Sequence, residues 1–407
     1  MTVNRDFYSN IYFELAKFKS MVFMAGPRQV GKTTLAQQIE TRFVNSLYFN
    51  YDIIDNKKEL LINPFFYENL NRNDLSRPLI VLDEIHKYHD WKNYLKSLYD
   101  RDSENYNFLV LGSGRLDSYQ KGGDSLAGRY LLYHLFPFTL SELANEKVDF
   151  NYFFDNLQVI FIKDKAKARQ VWGQLSELSG FPEPYLSGSK EFYRMWTRNY
   201  NSQLLREDIR DFIQNKKADN IALLFSLLPS KVGSPLSVDN LARDVSVSFD
   251  SVKNWLDIFD AFFLTFRISP WTARLSRAIS KMRKLYLMDY ARIDSEASRF
   301  ENMVALELYR AVTTWNAKGF GNFSLHYLRN KEKEEVDFLI ADTNKPLFMI
   351  ETKLKDPEPS KSLRKFQDTF KIPAIQLLNQ QDIFKYYNNN SQRILICSAD
   401  QWLAVLP

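Results

Sequence analysis

The stretch Met21-Val-Phe-Met-Ala-Gly-Pro-Arg-Gln-Val-Gly-Lys-Thr-Thr34 constrains this chain more than any other. An apolar run enters a glycine-bounded turn, and helical spacing follows from Thr33 to Ile39. Gly26, Gly31, Lys32 and Thr33 fill all four fixed positions of G-x-x-x-x-G-K-[ST]. The spacing has a physical reason. A buried strand delivers the loop, and its glycines let backbone N–H groups converge on phosphate oxygens. The following helix adds unpaired N–H groups and the positive end of its dipole. The expected cradle for ATP runs through Gly26, Pro27, Arg28, Gln29, Val30, Gly31, Lys32, Thr33 and Thr34. Lys32 is placed to reach the β- and γ-phosphates, and the Thr33 hydroxyl to ligate Mg²⁺.

About fifty residues on, Pro78-Leu-Ile-Val-Leu-Asp-Glu84 reads as a second buried strand ending in two acids. Asp83 is expected to complete the Mg²⁺ shell and Glu84 to act as general base on the attacking water. The strand Tyr106 to Gly112 runs into Ser113, placed to sense the γ-phosphate. Arg129, just before the strand-like Leu131–Phe136, is a candidate arginine finger, with a surface ion pair as the alternative. His86 and His89 form an H-x-x-H pair. With no cysteine or further histidine nearby, they read as the solvated side of a helix starting near Asp90.

At 407 residues the chain exceeds one ordinary domain. Its 54 basic and 49 acidic residues leave only +5, so charge alone does not announce a nucleic-acid binder. Cys397 is the one cysteine, which rules out an internal disulfide and suits a reducing, cytoplasmic setting. No apolar run approaches a membrane span, and the first apolar stretch belongs to the loop's strand rather than to a signal peptide. Membrane partners are therefore not expected.

Strands alternating with helices around such a loop imply a three-layer α/β domain with a mostly parallel sheet. Ala25 to Thr34, Leu82-Asp-Glu-Ile85, Leu111-Gly-Ser-Gly114 and Leu126-Ala-Gly-Arg129 resemble prokaryotic AAA+-like ATPases that carry a C-terminal nuclease-like domain. The resemblance spans nearly the whole chain and implies that the Asp-Glu pair serves metal and water activation. It departs at Arg115, where a small polar residue is expected after Gly114.

Beyond this domain, Ser141 to Phe212 is helical and polar, with Pro182 and Pro184 expected to enforce a loop. Residues 217–268 spell a winged helix, helix-turn-helix followed by the strand Ala261–Ile268. Its last helix offers Lys253 among Asp250, Asp257 and Asp260, which favours protein contact over DNA. Arg274, Arg277, Lys281, Arg283 and Lys284 form a better phosphate-backbone candidate or a solvated linker. Farther on, Glu334-Glu-Val-Asp-Phe-Leu-Ile340 and Leu347-Phe-Met-Ile-Glu-Thr-Lys353 read as two strands joined by a turn. Strand alternation sets Glu351 and Lys353 on one face, Asp337 can oppose them, and Glu301 can approach from a helix.

That set resembles the PD-(D/E)xK nuclease fold, with Val336 where the fold usually has proline. The resemblance implies that Asp337 and Glu351 hold Mg²⁺, that Lys353 orients water, and that Glu301 assists. The expected organisation is an ATPase domain (1–150), a helical linker (151–214), a winged helix (215–270) and a restriction-endonuclease-like α/β domain (271–407). Two functions are open: nucleotide state controlling a DNA-directed nuclease, or an ATP switch whose C-terminal domain only docks a partner. A homo-oligomer is compatible with both.

Overall fold

Strands that are apolar from end to end must be covered on both faces, and these set the first unit of the fold. In the computed structural model, which describes residues 3–112, 114, 126–159, 162–209, 218–272, 282–389 and 392–407, β1 (Met21–Ala25) and β3 (Leu79–Asp83) are buried at every position. β2 (Ser46–Asn50), β4 (Asn107–Gly112) and β5 (Tyr130–His134) join them in the order β2-β3-β4-β1-β5. All four pairings are parallel, as continuous apolar runs predict. Helices Asp6–Ala16 and Lys32–Glu40 bring Tyr8, Ile11, Leu15, Leu35 and Ile39 onto Val22, Met24, Val81 and Leu109. The helix stops at Ala16, so Phe18 falls beyond its apolar stripe and is exposed.

Residues 1–136, 261–263 and 317–320 make this unit; 137–260, 264–316 and 321–407 make the second. The expected segments 151–214, 215–270 and 271–407 thus lie almost wholly within the second unit.

The second unit is built on an eight-stranded mixed sheet, order β12-β13-β11-β10-β9-β8-β6-β7. Its strands are β6 (Thr265–Pro270), β7 (Lys284–Leu287), β8 (Phe323–Arg329) and β9 (Glu335–Asp342), then β10 (Lys345–Lys353), β11 (Ala374–Leu378), β12 (Phe384–Asn389) and β13 (Gln392–Ser398). β8, β9 and β10 form an antiparallel meander, while β10, β11 and β13 run parallel. A parallel pair needs a crossover, and helix Lys361–Phe370 supplies it between β10 and β11. Leu363 of that helix packs with Leu339, Met349, Ile394 and Ile396. Helix Glu296–Ala317 precedes β8 and buries Phe300, Val304, Leu308 and Ala311.

Upstream lie helices Ala218–Leu227, Val238–Asp244 and Phe249–Ala261, followed by the β6–β7 hairpin. Ser237 caps the middle helix by accepting from the Asn240 N–H at 3.3 Å. The strand read as Ala261–Ile268 starts later, because the helix persists to Ala261 and Phe263 turns with φ 55°. β6 also pairs in parallel with β8, which carries the hairpin into the large sheet.

Pro182 and Pro184 do not enforce a loop. They open helix Pro182–Ser187, with Pro182 in the first turn, where its missing N–H has no intrahelical partner to lose. Farther on, helix Lys190–Gln203 widens into a π-type turn over Leu204–Asp208. Among the described residues, no helix is long and apolar enough to cross a membrane.

Candidate nucleotide site and C-terminal carboxylate cluster

β1 ends at Ala25 and the chain turns sharply. A Cβ on Gly26 would lie 2.3 Å from the Leu135 carbonyl oxygen, so no other residue fits there. Gln29 (φ 59°) and Gly31 (φ 93°) bend the loop back into helix Lys32–Glu40 through the left-handed region, which glycine enters without cost. Buried Arg5 braces the loop from below, donating to the carbonyls of Val30 at 3.1 Å and Phe136 at 2.9 Å. That brace was not legible in sequence, since nothing near Arg5 marks it as buried.

Lys32 is buried, and its ammonium donates to the Gly26 and Pro27 carbonyls at 3.0 and 2.7 Å. The ammonium is therefore folded into the loop that would wrap the phosphates. Thr33 Oγ1 donates to Asp83 Oδ2 at 2.8 Å, although fifty residues separate them in sequence. β4 lies between β1 and β3, so the two motif strands are about 10 Å apart at ~4.8 Å per strand. The first helical turn closes that gap. Tyr48 on β2 donates to the same Asp83 oxygen at 2.6 Å, and burial, then Asp83, holds its phenol above the ordinary range. Asp83 is only 3% exposed, and its partners are the hydroxyls a buried carboxylate requires.

Glu84 follows in the left-handed region at φ 55°, which turns its side chain away from the β3 register. Lys87 Nζ lies 3.3 Å from the Glu84 carboxylate and 2.6 Å from Asp52. Burial pushes Lys87 down, but Asp52 and Glu84 outweigh it and hold the ammonium above its ordinary range. His86 is buried, with Nε2 3.5 Å from Glu84, and is not on a solvated helical face; His89 is exposed. The pair does not share a face, because Ile85–Lys87 forms a tight turn before helix Trp91–Asp102 begins. Ser113 lies outside the described residues, as do Arg274, Arg277 and Lys281.

Arg129 stands apart from these groups. β5 runs parallel to β1 with Tyr130 opposite Met21, so Arg129 sits at the amino edge of the sheet. The loop leaves the carboxyl edge five residues later, roughly 16 Å away at ~3.3 Å per residue. Arg129 instead makes a two-pronged pair with Asp100, at 2.6 and 3.0 Å. Within one chain, the strand direction keeps it from the phosphate loop of its own sheet.

In the second unit, Glu301, Asp337, Glu351 and Lys353 come together. Lys284, whose side chain is 1% exposed, points its ammonium among three carboxylates: Glu335 at 2.7 Å, Glu301 at 3.1 Å and Asp337 at 3.5 Å. Tyr286 donates to Glu301 at 2.8 Å. Asp337 Oδ2 accepts from the Thr352 N–H at 2.8 Å and its hydroxyl at 2.6 Å. Lys353 pairs with its own neighbour Glu351 at 2.8 Å. Burial, then Asp337, raises both Glu301 and Glu351 to about 7.

Among the described residues no three His, Cys, Asp or Glu side chains are grouped to hold a metal. Lys284, expected in a phosphate-backbone contact or a solvated linker, is instead buried among carboxylates. On β7, alternation sets Lys284 and Tyr286 on the same face, and both turn toward Glu301. Glu335 had been passed over, though alternation on β9 places it with Asp337. Removing one partner of such a buried set costs about 3–5 kcal/mol. This cluster is therefore stabilising only while complete.

A family model described as "AAA domain" matches residues 18–144. Models of domains of unknown function match 169–293 (DUF8612) and 298–397 (DUF4143). The chain is 22% identical over 352 residues to the uncharacterized protein Rv2008c of Mycobacterium tuberculosis, covering 84% of this chain and 73% of that one. It is 23% identical over 298 residues to the uncharacterized protein MJ1637 of Methanocaldococcus jannaschii, covering 66% and 60%. The Walker-type ATPase PABY2304 of Pyrococcus abyssi superposes with a TM-score of 0.45 at 13% identity, over 72% of this chain and 95% of that chain. The match over 18–144, together with this chain's complete phosphate loop and five-stranded parallel sheet, marks the N-terminal unit as P-loop and AAA-like.

Proposed function

We propose that this chain binds Mg²⁺–ATP at the carboxyl edge of the N-terminal sheet, hydrolyses it, and uses its nucleotide state to control the second unit. The observation that carries this is the meeting of Thr33 Oγ1 and Asp83 Oδ2 at 2.8 Å above a complete phosphate loop. A hydroxyl and a carboxylate side by side are the hard oxygen donors that Mg²⁺ takes when it also binds phosphates. In this reading Thr33 and Asp83 hold the ion, whose charge offsets that of the phosphates. Lys32 exchanges the Gly26 and Pro27 carbonyls for phosphate oxygens, and Glu84 takes the proton of the attacking water. Lys32→Ala should abolish ATP binding measured at equilibrium, and unchanged affinity in that variant would remove the site.

For the second unit, the seating of Lys284 among the carboxylates favours docking of a partner over cutting DNA. The succession of helix Glu296–Ala317, β8, β9, β10, helix Lys361–Phe370 and β11 supports a nuclease-derived ancestry. The three helices before the β6–β7 hairpin support a winged helix. Arg267 on the hairpin is spent on Asp257 and Asp260, which suits a protein-contacting role better than a DNA-contacting one. ATP-dependent cleavage of DNA by the intact chain would reverse this preference and restore the nuclease reading.

A further inference from the structure

A nuclease-like strand set with clustered carboxylates implies a divalent cation, and the residues present do not fit one. The geometry points to a different occupant: Lys284 is the resident cation of the Glu301–Glu335–Asp337 cluster, so this unit folds without a divalent metal and excludes it while β7 is seated. The inference deepens the docking reading of the second unit and is independent of the ATP site.

Three features carry it. The ammonium touches an oxygen of all three carboxylates, at 2.7, 3.1 and 3.5 Å, from a side chain only 1% exposed. An ammonium has three N–H donors and no acceptor, which matches three carboxylate acceptors. Second, Asp337 and Glu335 have fixed partners for their other oxygens. Asp337 Oδ2 takes two donors from Thr352, and Glu335 Oε2 takes the Arg329 guanidinium at 3.0 Å. Gly233 (φ 80°) presses on Glu301 so closely that a Cβ there would lie 2.6 Å from Oε2. A metal needs its ligands' lone pairs turned inward together, whereas these are already committed outward. Third, Glu351, on whose oxygen a nuclease-like metal would depend, already has a cation on its Oε1, where Lys353 pairs at 2.8 Å.

The lysine arrives on the last strand of the sheet. β7 pairs only with β6, over four register positions, and Lys284 is bridged to Pro235. Its place in the cluster therefore depends on that hairpin. With the ammonium removed, three carboxylates would face a cavity without a cation, and like charges would have to recruit one.

Mn²⁺ titration of the full-length, nucleotide-free chain tests this, read by electron paramagnetic resonance of free Mn²⁺ and by the thermal unfolding of the second unit. Wild-type protein should show no Mn²⁺ binding that depends on Asp337 or Glu351, and EDTA should leave its unfolding temperature unchanged. Lys284→Met should bind Mn²⁺ at least tenfold more tightly than wild type, and adding Asp337→Asn should abolish the gain. If Lys284→Met unfolds, Mn²⁺ should restore its folded transition, with Lys284→Arg folded as a control. Mn²⁺ binding by wild type that Asp337→Asn or Glu351→Gln removes would overturn the inference. So would a Lys284→Met chain that folds without binding Mn²⁺, or that Mn²⁺ fails to refold. ATP affinity measured on the same samples reports separately on the N-terminal site.

Discussion

Glu307 sits on the long helix of the second unit, and its Oε1 accepts the Leu140 N–H at 2.7 Å, at the start of helix Leu140–Ala144. A negative charge suits a helix amino end, yet the residue is only 5% exposed and its Oε2 has no hydrogen-bond partner. Burial pushes its pKa up to about 7, with Arg310 pulling the other way from 3.8 Å. The folded state thus holds this proton more tightly than the unfolded chain does. The stability it contributes is complete below the ordinary carboxyl range and is lost as pH rises through about 7. Glu307→Gln keeps an acceptor for Leu140 and removes the charge. It should match wild type in thermal unfolding at pH 5 and exceed it by roughly 1–3 kcal/mol at pH 8. A variant less stable than wild type at pH 8 would mean that the Arg310 pair outweighs burial. At this scale, the sequence announces residues whose chemistry follows a fixed spacing, such as Lys32, Thr33, Asp83 and Glu84. It conceals Tyr48, Arg5 and Lys284, because each meets its partner only when distant strands or loops come together. Lys284, expected in a phosphate-backbone contact or a solvated linker, is turned inward only by its register on β7.

Strand direction decides what Arg129 can do. Its position before β5, with Tyr130 opposite Met21, sets it at the sheet edge away from its own loop. An arginine finger there acts on the nucleotide of a second copy. Arg129→Ala should then lower turnover by ~10³-fold while ATP affinity stays within a few-fold, and wild-type turnover per chain should rise with protein concentration. Full turnover by a monomer at any dilution would reduce Arg129 to the Asp100 ion pair. Elements with one dominant signal were readable: apolar runs as buried parallel strands, and the E-V-D and E-T-K segments as paired strands. Pro182 misled, because proline forbids a helix interior but favours the first turn, and sequence alone does not say which position it holds.

Across the whole molecule, the division of labour follows from where each unit keeps its charges. The N-terminal unit gathers Lys32, Thr33, Asp83 and Glu84 at one sheet edge, where the proposed reading seats a phosphate and an ion. In the second unit, Glu301, Glu335 and Asp337 close on Lys284. What the sequence could not convey was the strand order, with β4 set between the two motif strands, and the sharing of one large sheet by the β6–β7 hairpin and the C-terminal strands. Both depend on long-range pairings that leave no local pattern. The central claim is that the N-terminal edge hydrolyses ATP, with Glu84 as base. Equilibrium ATP binding and phosphate release by Glu84→Gln test it most directly. Affinity should equal that of wild type while release falls by ~10²-fold or more; release at the wild-type rate would contradict the assignment.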